Sequence, residues 1–597
     1  MLRECDLVMK GGVTSGVVYP PAIYAITREF DLRSIGGTSA GAIAAALAAA
    51  AQYRRVADTA TPEAGYEALL AVPDWLGRDR HLFGLFTPNG ATRSLFDTVV
   101  ALAAPGRSQP QRFADLLKAY GGWASVGAIP GLMHLLFANR IENRTLRGLN
   151  SIAATAGLVA GAGAAATLAL VADTLRRLPP NEYGLVTGID DTRENPDTLC
   201  TWLATKTEEI AGLPITSLPR VPLTFGMLWN PQRGAIANGE KDLPSEATVD
   251  LKMMTTAIVE GRPYLFPTNT SRYHFRDSEM RRFFPPHVVE WLVQHARPSE
   301  HNVVVEGEML AALPPIGDLP ILVATRMSLA FPILLSAVPF YVIEHGIDGS
   351  LTAQRVLFSD GGITSNFPIA LFDSPLPSRP TLAINLGGFP PGVPDDKRDI
   401  VMATDNRPLA IYPSNPVGSL PSFGGAIFGT LQNWNDALLA RLPGYRDRIV
   451  TVRLHDSEGG LNLDMDAKTI AGLVDRGRRA GEMLVQRFGA PSTLAPMGDP
   501  TTMGWENQRW VRYRAIMSEL RDLLAKFADH WTTPHGGDVP YKNLVLTNDA
   551  DTIPHHSYRL PNDADVREKV ATLSEALAAL GEELAAQQAL AYNEPKP

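Results

Sequence analysis

Cys5–Arg55 reads CDLVMKGGVTSGVVYPPAIYAITREFDLRSIGGTSAGAIAAALAAAAQYRR. Cys5–Met9 is a short apolar run and predicts a strand. Lys10–Gly16 (KGGVTSG) carries the glycine signal of a loop. Val17–Phe30 has a helical pattern whose first turn Pro20 and Pro21 must disturb. Leu32–Ile35 predicts a second strand. Ala40–Arg55 is dominated by alanine, the best helix former. The order strand, loop, helix, strand, tight turn, helix predicts an α/β fold: a three-layer sandwich around a mostly parallel sheet.

Outward from this unit the pattern changes. Residues 56–218 are less regular and predict a helical insertion or cap. Residues 219–490 return to strand-like runs and predict the remainder of the core. These runs are Val221–Leu228, Pro320–Ala324, Val356–Phe358, Thr381–Leu386 and Arg448–Leu454, broken by the Pro/Gly-rich Ser374–Asp396. Residues 491–597 predict a helical C-terminal region, with helices over Trp505–Trp531 and Asp563–Tyr592.

The 597-residue chain is long enough for three or four domain-sized units. Its net charge of -9 disfavours broad nucleic-acid binding. Two cysteines, Cys5 and Cys200, cannot staple a chain this long, which points to a reducing, cytoplasmic compartment. The N-terminus lacks the apolar core of a signal peptide, so no targeting segment is expected before the fold. There is no CxxC or HExxH, and no metal or other cofactor is expected. Oligomeric state is not encoded in any pattern we recognise.

Gly37-Thr38-Ser39-Ala40-Gly41 matches G-x-S-x-G. A serine between a strand and a helix sits on a sharp turn that presents its hydroxyl, and the flanking glycines leave room where a Cβ would clash. Ser39 is the candidate nucleophile, and the Ala40 N–H is positioned to meet an oxyanion. The plainer alternative is a turn serine capping a helix. Gly11-Gly12-Val13-Thr14-Ser15-Gly16 is a second glycine loop whose N–H groups can complete an oxyanion hole. Neither a P-loop nor a dinucleotide fingerprint fits it, because G-K-[ST] and G-x-G-x-x-G are both missing. Asp360-Gly361-Gly362 follows Val356–Phe358, so an aspartate at a strand end is the candidate base; a hairpin turn is the alternative. A histidine triad competes. His455 is its best candidate, followed by His530, His535, His555 and His556, but too few strands precede Ser39 for that fold.

KGGVTSG, GTSAG and DGG in this order resemble the oxyanion loop, nucleophile elbow and catalytic aspartate of the patatin-like phospholipases. Ala324–Pro332 (ATRMSLAFP) and Asp360–Pro368 (DGGITSNFP) are similar to further family segments. Residues 251–267 and 458–465 are similar to stretches of its larger bacterial members. The resemblance implies metal-independent hydrolysis of phospholipid or other acyl esters by a Ser39–Asp360 dyad. Gly11, Gly12, Val13 and Ala40 would supply the oxyanion hole, and Gly16, Gly37, Gly41, Gly361 and Gly362 would shape the loops. Val13 and Ser15 stand where members carry a third glycine and a basic residue. That departure keeps open an alternative: a catalytically weak lipid-binding scaffold.

Ala119–Asn139 and Gly148–Ala172 carry no charged residue. The second is long enough to span a hydrocarbon core of ~30 Å, but its alanine richness makes the insertion drive modest. The composition therefore favours two buried cap helices over a hairpin dipping into a bilayer, and that hairpin over a transmembrane pair. Gly157 and Gly161 form a GxxxG step suited to close helix packing. Small side chains there would leave room for an acyl chain.

Overall fold

A computed structural model describes residues 2–12, 14–103, 107–138, 143–191, 195–233, 244, 246–298, 302–346, 348–389, 398–404, 417–418, 420–442, 444–455, 457–460, 462–489, 503–534, 536, 539–546 and 564–587. Its centre is an eleven-stranded mixed sheet. In chain order the strands are β1 (Arg3–Met9), β2 (Phe30–Gly37), β3 (Asp250–Ala257), β4 (Arg262–Phe266), β5 (Tyr273–Phe275), β6 (Ala311–Ala312), β7 (Val338–His345), β8 (Leu351–Asp360), β9 (Thr381–Gly388), β10 (Ile400–Met402) and β11 (Ile449–Leu454). They lie in the order β10-β11-β9-β1-β2-β3-β8-β7-β5-β6, with β4 paired to β3. The five strands from β11 to β3 run parallel, and the remaining pairings are antiparallel.

Side chains of β1 alternate between two cores, as a pleated strand requires. Leu7 and Met9 join the main core; Val8 joins Phe367, Ile369, Ala383 and Ile449 on the other face. The main core is built on α1 (Tyr19–Thr27) and α2 (Ala40–Ala57), both as expected from sequence to within a few residues. Burial on both faces makes the central strands near-continuous apolar runs.

Residues 56–218 pack in two ways. The helix Ala64–Leu70 and α5 (Leu199–Ile210) lie against α2, and Gly184–Val186 pairs with Ile333–Leu335. By contrast α3 (Gly121–Ala138) and α4 (Arg144–Arg177) pair chiefly with each other as an antiparallel hairpin. Their seam is made by glycines: a Cβ on Gly127 would collide with the Gly161 carbonyl, and one on Gly131 with the Leu158 backbone. Gly157 faces open space, so the GxxxG reading is corrected: Gly161 pairs with α3 and Gly157 does not.

The expectation of two buried cap helices is also overturned. Only 22% of the most apolar window of α4 is buried, and Ile152 and Leu168 are each 69% exposed. Two further corrections concern helices. Val221–Leu228 and Pro320–Ala324 were expected as strands, but the chain forms a short helix at Phe225–Trp229 and α6 at Ile321–Ser328. Every residue of α6 is buried, the polar Thr325, Arg326 and Ser328 included, so no solvent-facing side marks it as a helix. Beyond β9 come α7 (Leu420–Leu439), α8 (Ala467–Gly489), α9 (Trp505–Thr532) and α10 (Ala564–Ala586). α9 and α10 pack together through Ala528, Trp531, Ala571 and Ala578, and Arg512 of α9 ties them to Asp373 at 2.7 Å.

Candidate active site

Parallel strands gather their following loops at one sheet edge. Met9 pairs with Gly37, and Gly37 with Met253; two residues on, Thr255 pairs with Asp360 at the end of antiparallel β8. The register therefore brings the KGG loop, the Ser39 turn and Asp360 to one place.

Ser39 caps α2 with φ 56° and ψ -128°, a conformation that L-residues rarely adopt. The turn is forced by contact. A Cβ on Gly37 would collide with the Gly41 carbonyl, and one on Gly41 with that of Met9. The Gly41 N–H donates to Thr38 O at 2.9 Å, closing the turn. The Ala40 N–H has no acceptor among the described residues, as expected at the first position of a helix.

Asp360 is 2% exposed. Its Oδ1 accepts the Gly362 N–H at 2.6 Å, and Thr256 Oγ1 donates to its carbonyl at 3.0 Å. Burial raises its pKa to about 7, against the opposing pull of the Ser39 hydroxyl and the Gly362 N–H. The contact with Ser39 is looser than a full hydrogen bond, since Asp360 Oδ2 is buried without a partner of good geometry. Such contacts commonly tighten only when substrate is bound. Among the described residues, the groups that shift Asp360 include no imidazole. The ring of His455 stacks on Phe389 with centroids 4.6 Å apart, and His530 sits on α9 beside Asp529. His535, His555 and His556 lie outside the described residues.

The oxyanion expectations divide. The Gly11 N–H donates to the Asn366 carbonyl at 2.8 Å, so Gly11 is corrected from donor to spacer. A Cβ there would strike the Asn366 side chain and approach Ser39 Cβ to 3.1 Å. The Gly12 N–H has no acceptor among the described residues. Val13 lies outside them. Thr14 Oγ1 donates to the Gly460 carbonyl at 3.3 Å, which seats residues 458–460 on the loop.

Sequence reasoning gave no role to three residues here. Ser328, at the end of α6, accepts the Ser39 N–H on Oγ at 3.2 Å. Asn366 wedges between the two glycine loops, close to both Gly11 and Gly362. Asp436, buried on α7, accepts Ser365 Oγ–H at 2.7 Å and the Phe367 N–H at 2.8 Å, so it holds the segment that carries Asn366. Burial pushes its pKa up, and Lys10, itself held down by burial, opposes that. Only the DGGITSNFP similarity marked Asn366, and nothing local marked Asp436. Replacing Asp436 with Ala orphans two buried donors and is expected to cost roughly 2–5 kcal/mol in urea unfolding, most of it recovered by Asp436→Asn. Equal stability of Asp436→Ala and wild type would remove this role.

An α/β core that presents a strained serine at a strand–helix turn, beside a buried aspartate, has the architecture of the lipid acyl hydrolases that use a nucleophile elbow. The chain belongs to the patatin-like phospholipase family, whose model matches residues 7–373. It is 34% identical to the "RpoH suppressor" of Rhizobium meliloti (strain 1021) over 644 residues, covering 97% of this chain and 95% of that protein. VipD from Legionella pneumophila aligns over 98% of this chain and 86% of its own, at 13% identity and a TM-score of 0.28, too low to bear on function.

Proposed function

We propose that the protein hydrolyses acyl esters of membrane glycerolipids through Ser39 and Asp360, releasing fatty acid in the manner of a phospholipase A or lysophospholipase. The observation that carries this reading is the pairing of a strained, buried Ser39 with a fully buried carboxylate whose pKa lies near neutrality. At pH 7 and above such an aspartate is partly or wholly ionised, and a base poised near the working pH is effective. Asp360 takes the Ser39 proton as Oγ attacks the carbonyl carbon. The developing oxyanion meets the Ala40 and Gly12 N–H groups. The leaving alcohol takes up the proton, and a water deprotonated by Asp360 then cleaves the acyl-enzyme. A fluorophosphonate probe tests the nucleophile: labelling is expected in the wild type and not in Ser39→Ala. Labelling that persists in Ser39→Ala rejects this assignment and favours the alternative of a lipid-binding scaffold.

The α3–α4 hairpin supports contact with a bilayer surface at the cytoplasmic face. α4 is the one described helix long and apolar enough to cross a membrane by length and composition. Arg144 near the tip and Arg176 at the base flank its uncharged stretch and suit anionic headgroups, whereas Arg177 is engaged with Asp173 at 2.5 Å and the Ala91 carbonyl at 2.7 Å. Burying one such Ile or Leu side chain is worth about 1.5–3 kcal/mol. Ile152→Glu with Leu168→Glu is thus expected to weaken flotation with phosphatidylglycerol vesicles by at least tenfold. Turnover of a soluble short-chain ester should stay within about twofold. Failure of the wild type to float with vesicles removes the contact.

A further inference from the structure

α10 carries two seams. Ala571, Ala578 and Gly581 lie against α9, and a Cβ on Gly581 would collide with the Leu524 carbonyl, so this seam is closed by small residues. A second seam consists of Val566, Val570, Leu573, Leu577, Leu580 and Leu584, spaced alternately by four and three residues. That is the heptad period by which one helix lies along another. Yet this seam faces outward: Leu573 is 66% exposed, and Leu577 and Leu580 are exposed with it. α9 continues the same face. From Leu524 to Trp531 the contacts on α10 run back from Gly581 to Ala571, so the pair is antiparallel. At ~100° per residue, Leu520 and Leu523 sit a quarter turn to one side of the α9 residues that meet α10. Leu573, Leu577 and Leu580 sit about a third of a turn round, in the same sense, from those that meet α9. In an antiparallel pair equal senses give one shared face. Leu520 and Leu523, the latter 63% exposed, thus widen the leucine ladder into a two-helix apolar surface. The short helix Tyr541–Leu546 lies on the other side of α10, where Lys542 reaches Glu575 at 2.6 Å.

We infer that a second copy of this chain covers the face, two α9–α10 hairpins closing a four-helix bundle about a two-fold axis parallel to the helices. An apolar face is complementary to itself, as a two-fold contact requires. Its size is sufficient. The 23 residues of α10 run ~35 Å, and two helices side by side span ~20 Å. Each copy then contributes about 600 Å², and the pair reaches the ~1,200 Å² of a specific stable interface. Charge selects the arrangement. α9 holds five Arg and Lys against four Asp and Glu, whereas α10 holds two against five. α9 of each copy therefore lies beside α10 of the other, with Leu523 of one level with Leu580 of its mate. The acidic balance of α10 also disfavours an anionic bilayer as the cover. Because Arg512 ties α9 to Asp373, the bundle joins two whole subunits rather than two loose tails. The dimer does not depend on the hydrolase chemistry.

The test is the mass of the full-length protein by analytical ultracentrifugation, without lipid, from about 1 to 100 µM. A particle of twice 64.5 kDa is expected for the wild type, and equally for Ile152→Glu with Leu168→Glu, in which the α3–α4 hairpin is made polar. Leu573→Glu with Leu580→Glu is expected to weaken association at least a hundredfold and to leave a 64.5 kDa monomer of unchanged helix content by circular dichroism. Should those substitutions unfold the hairpin, cysteine pairing decides. Cys5 and Cys200 are buried, so an introduced surface thiol reacts in their stead. A mixture of Leu523→Cys and Leu580→Cys proteins is expected to form the crossed disulfide at least fivefold more than either forms with itself. No disulfide, or like pairs in excess, overturns the bundle. A monomeric wild type overturns it too, whether another protein or a bilayer then covers the face. A dimer that survives the two glutamates at 573 and 580 does the same, as does one lost in Ile152→Glu with Leu168→Glu, which would place the contact on the α3–α4 hairpin.

Discussion

Ser39→Ala is expected to lower ester turnover by about 10⁴-fold or more, because removing the proposed nucleophile disables the whole catalytic unit. Ser39→Gly should be equally inactive, and the informative comparison is between the two variants. At φ 56° and ψ -128° any residue with a Cβ is strained, at about 1–3 kcal/mol. Glycine relieves that strain, although its freer unfolded chain offsets roughly 0.4–1 kcal/mol. Ser39→Gly should therefore unfold at a higher urea midpoint than Ser39→Ala, by about 1–2 kcal/mol. A glycine variant no more stable than the alanine variant would show that the elbow stores no strain. Retained turnover in either would remove Ser39 from the chemistry.

Asp360→Asn should also abolish turnover, by about 10³–10⁴-fold, while stabilising the fold in a pH-dependent way. The carboxyl is raised from 3.8 to about 7 in the native protein, chiefly by burial. Near pH 4 and below, both native and unfolded forms carry the proton, and burial costs little. From about pH 4 to 7 the unfolded chain ionises while the native one does not, so stability falls as pH rises. Above about pH 7 the full cost is present, up to about 4 kcal/mol for three pKa units. Removing the ionisable group should make Asp360→Asn more stable than wild type at pH 8, with the advantage fading toward pH 4. In the wild type, kcat/KM should rise with pH through a midpoint near 7, and the residual activity of the variant should lack that limb. A pH-independent stability difference would contradict the buried, perturbed carboxylate.

The first crossover was legible because its punctuation is local. Gly37 is demanded by a collision with Gly41 only four residues on, Gly41 by the neighbouring strand's Met9 carbonyl, and the alanine-rich α2 follows at once. The central parallel sheet followed from the strand–helix alternation, and family membership agrees with it. Short apolar runs were the weak point. Ile321–Ser328 is buried on all sides, so neither a helical nor a strand period distinguishes it. Ser328 and Asp436 act on parts of the chain far away in sequence, at contacts only the tertiary fold creates. For the same reason the glycine seam of the hairpin was misassigned to Gly157: which face of α4 meets α3 depends on the partner. The Gly11 N–H could not be called spent until the Asn366 carbonyl was in place.

Residues 328–330 touch both the Ser39 turn and the Asp360 strand end. Ser328 grips the backbone of Ser39, while Ala330, two residues on, accepts both the Asp360 N–H at 3.0 Å and the Ser359 hydroxyl at 2.8 Å. The separation of alcohol and acid is thus set by a ruler two residues long, independent of how much chain loops out between them. Chain inserted elsewhere between them, such as the α3–α4 hairpin, leaves that spacing unchanged as long as the ruler keeps its length.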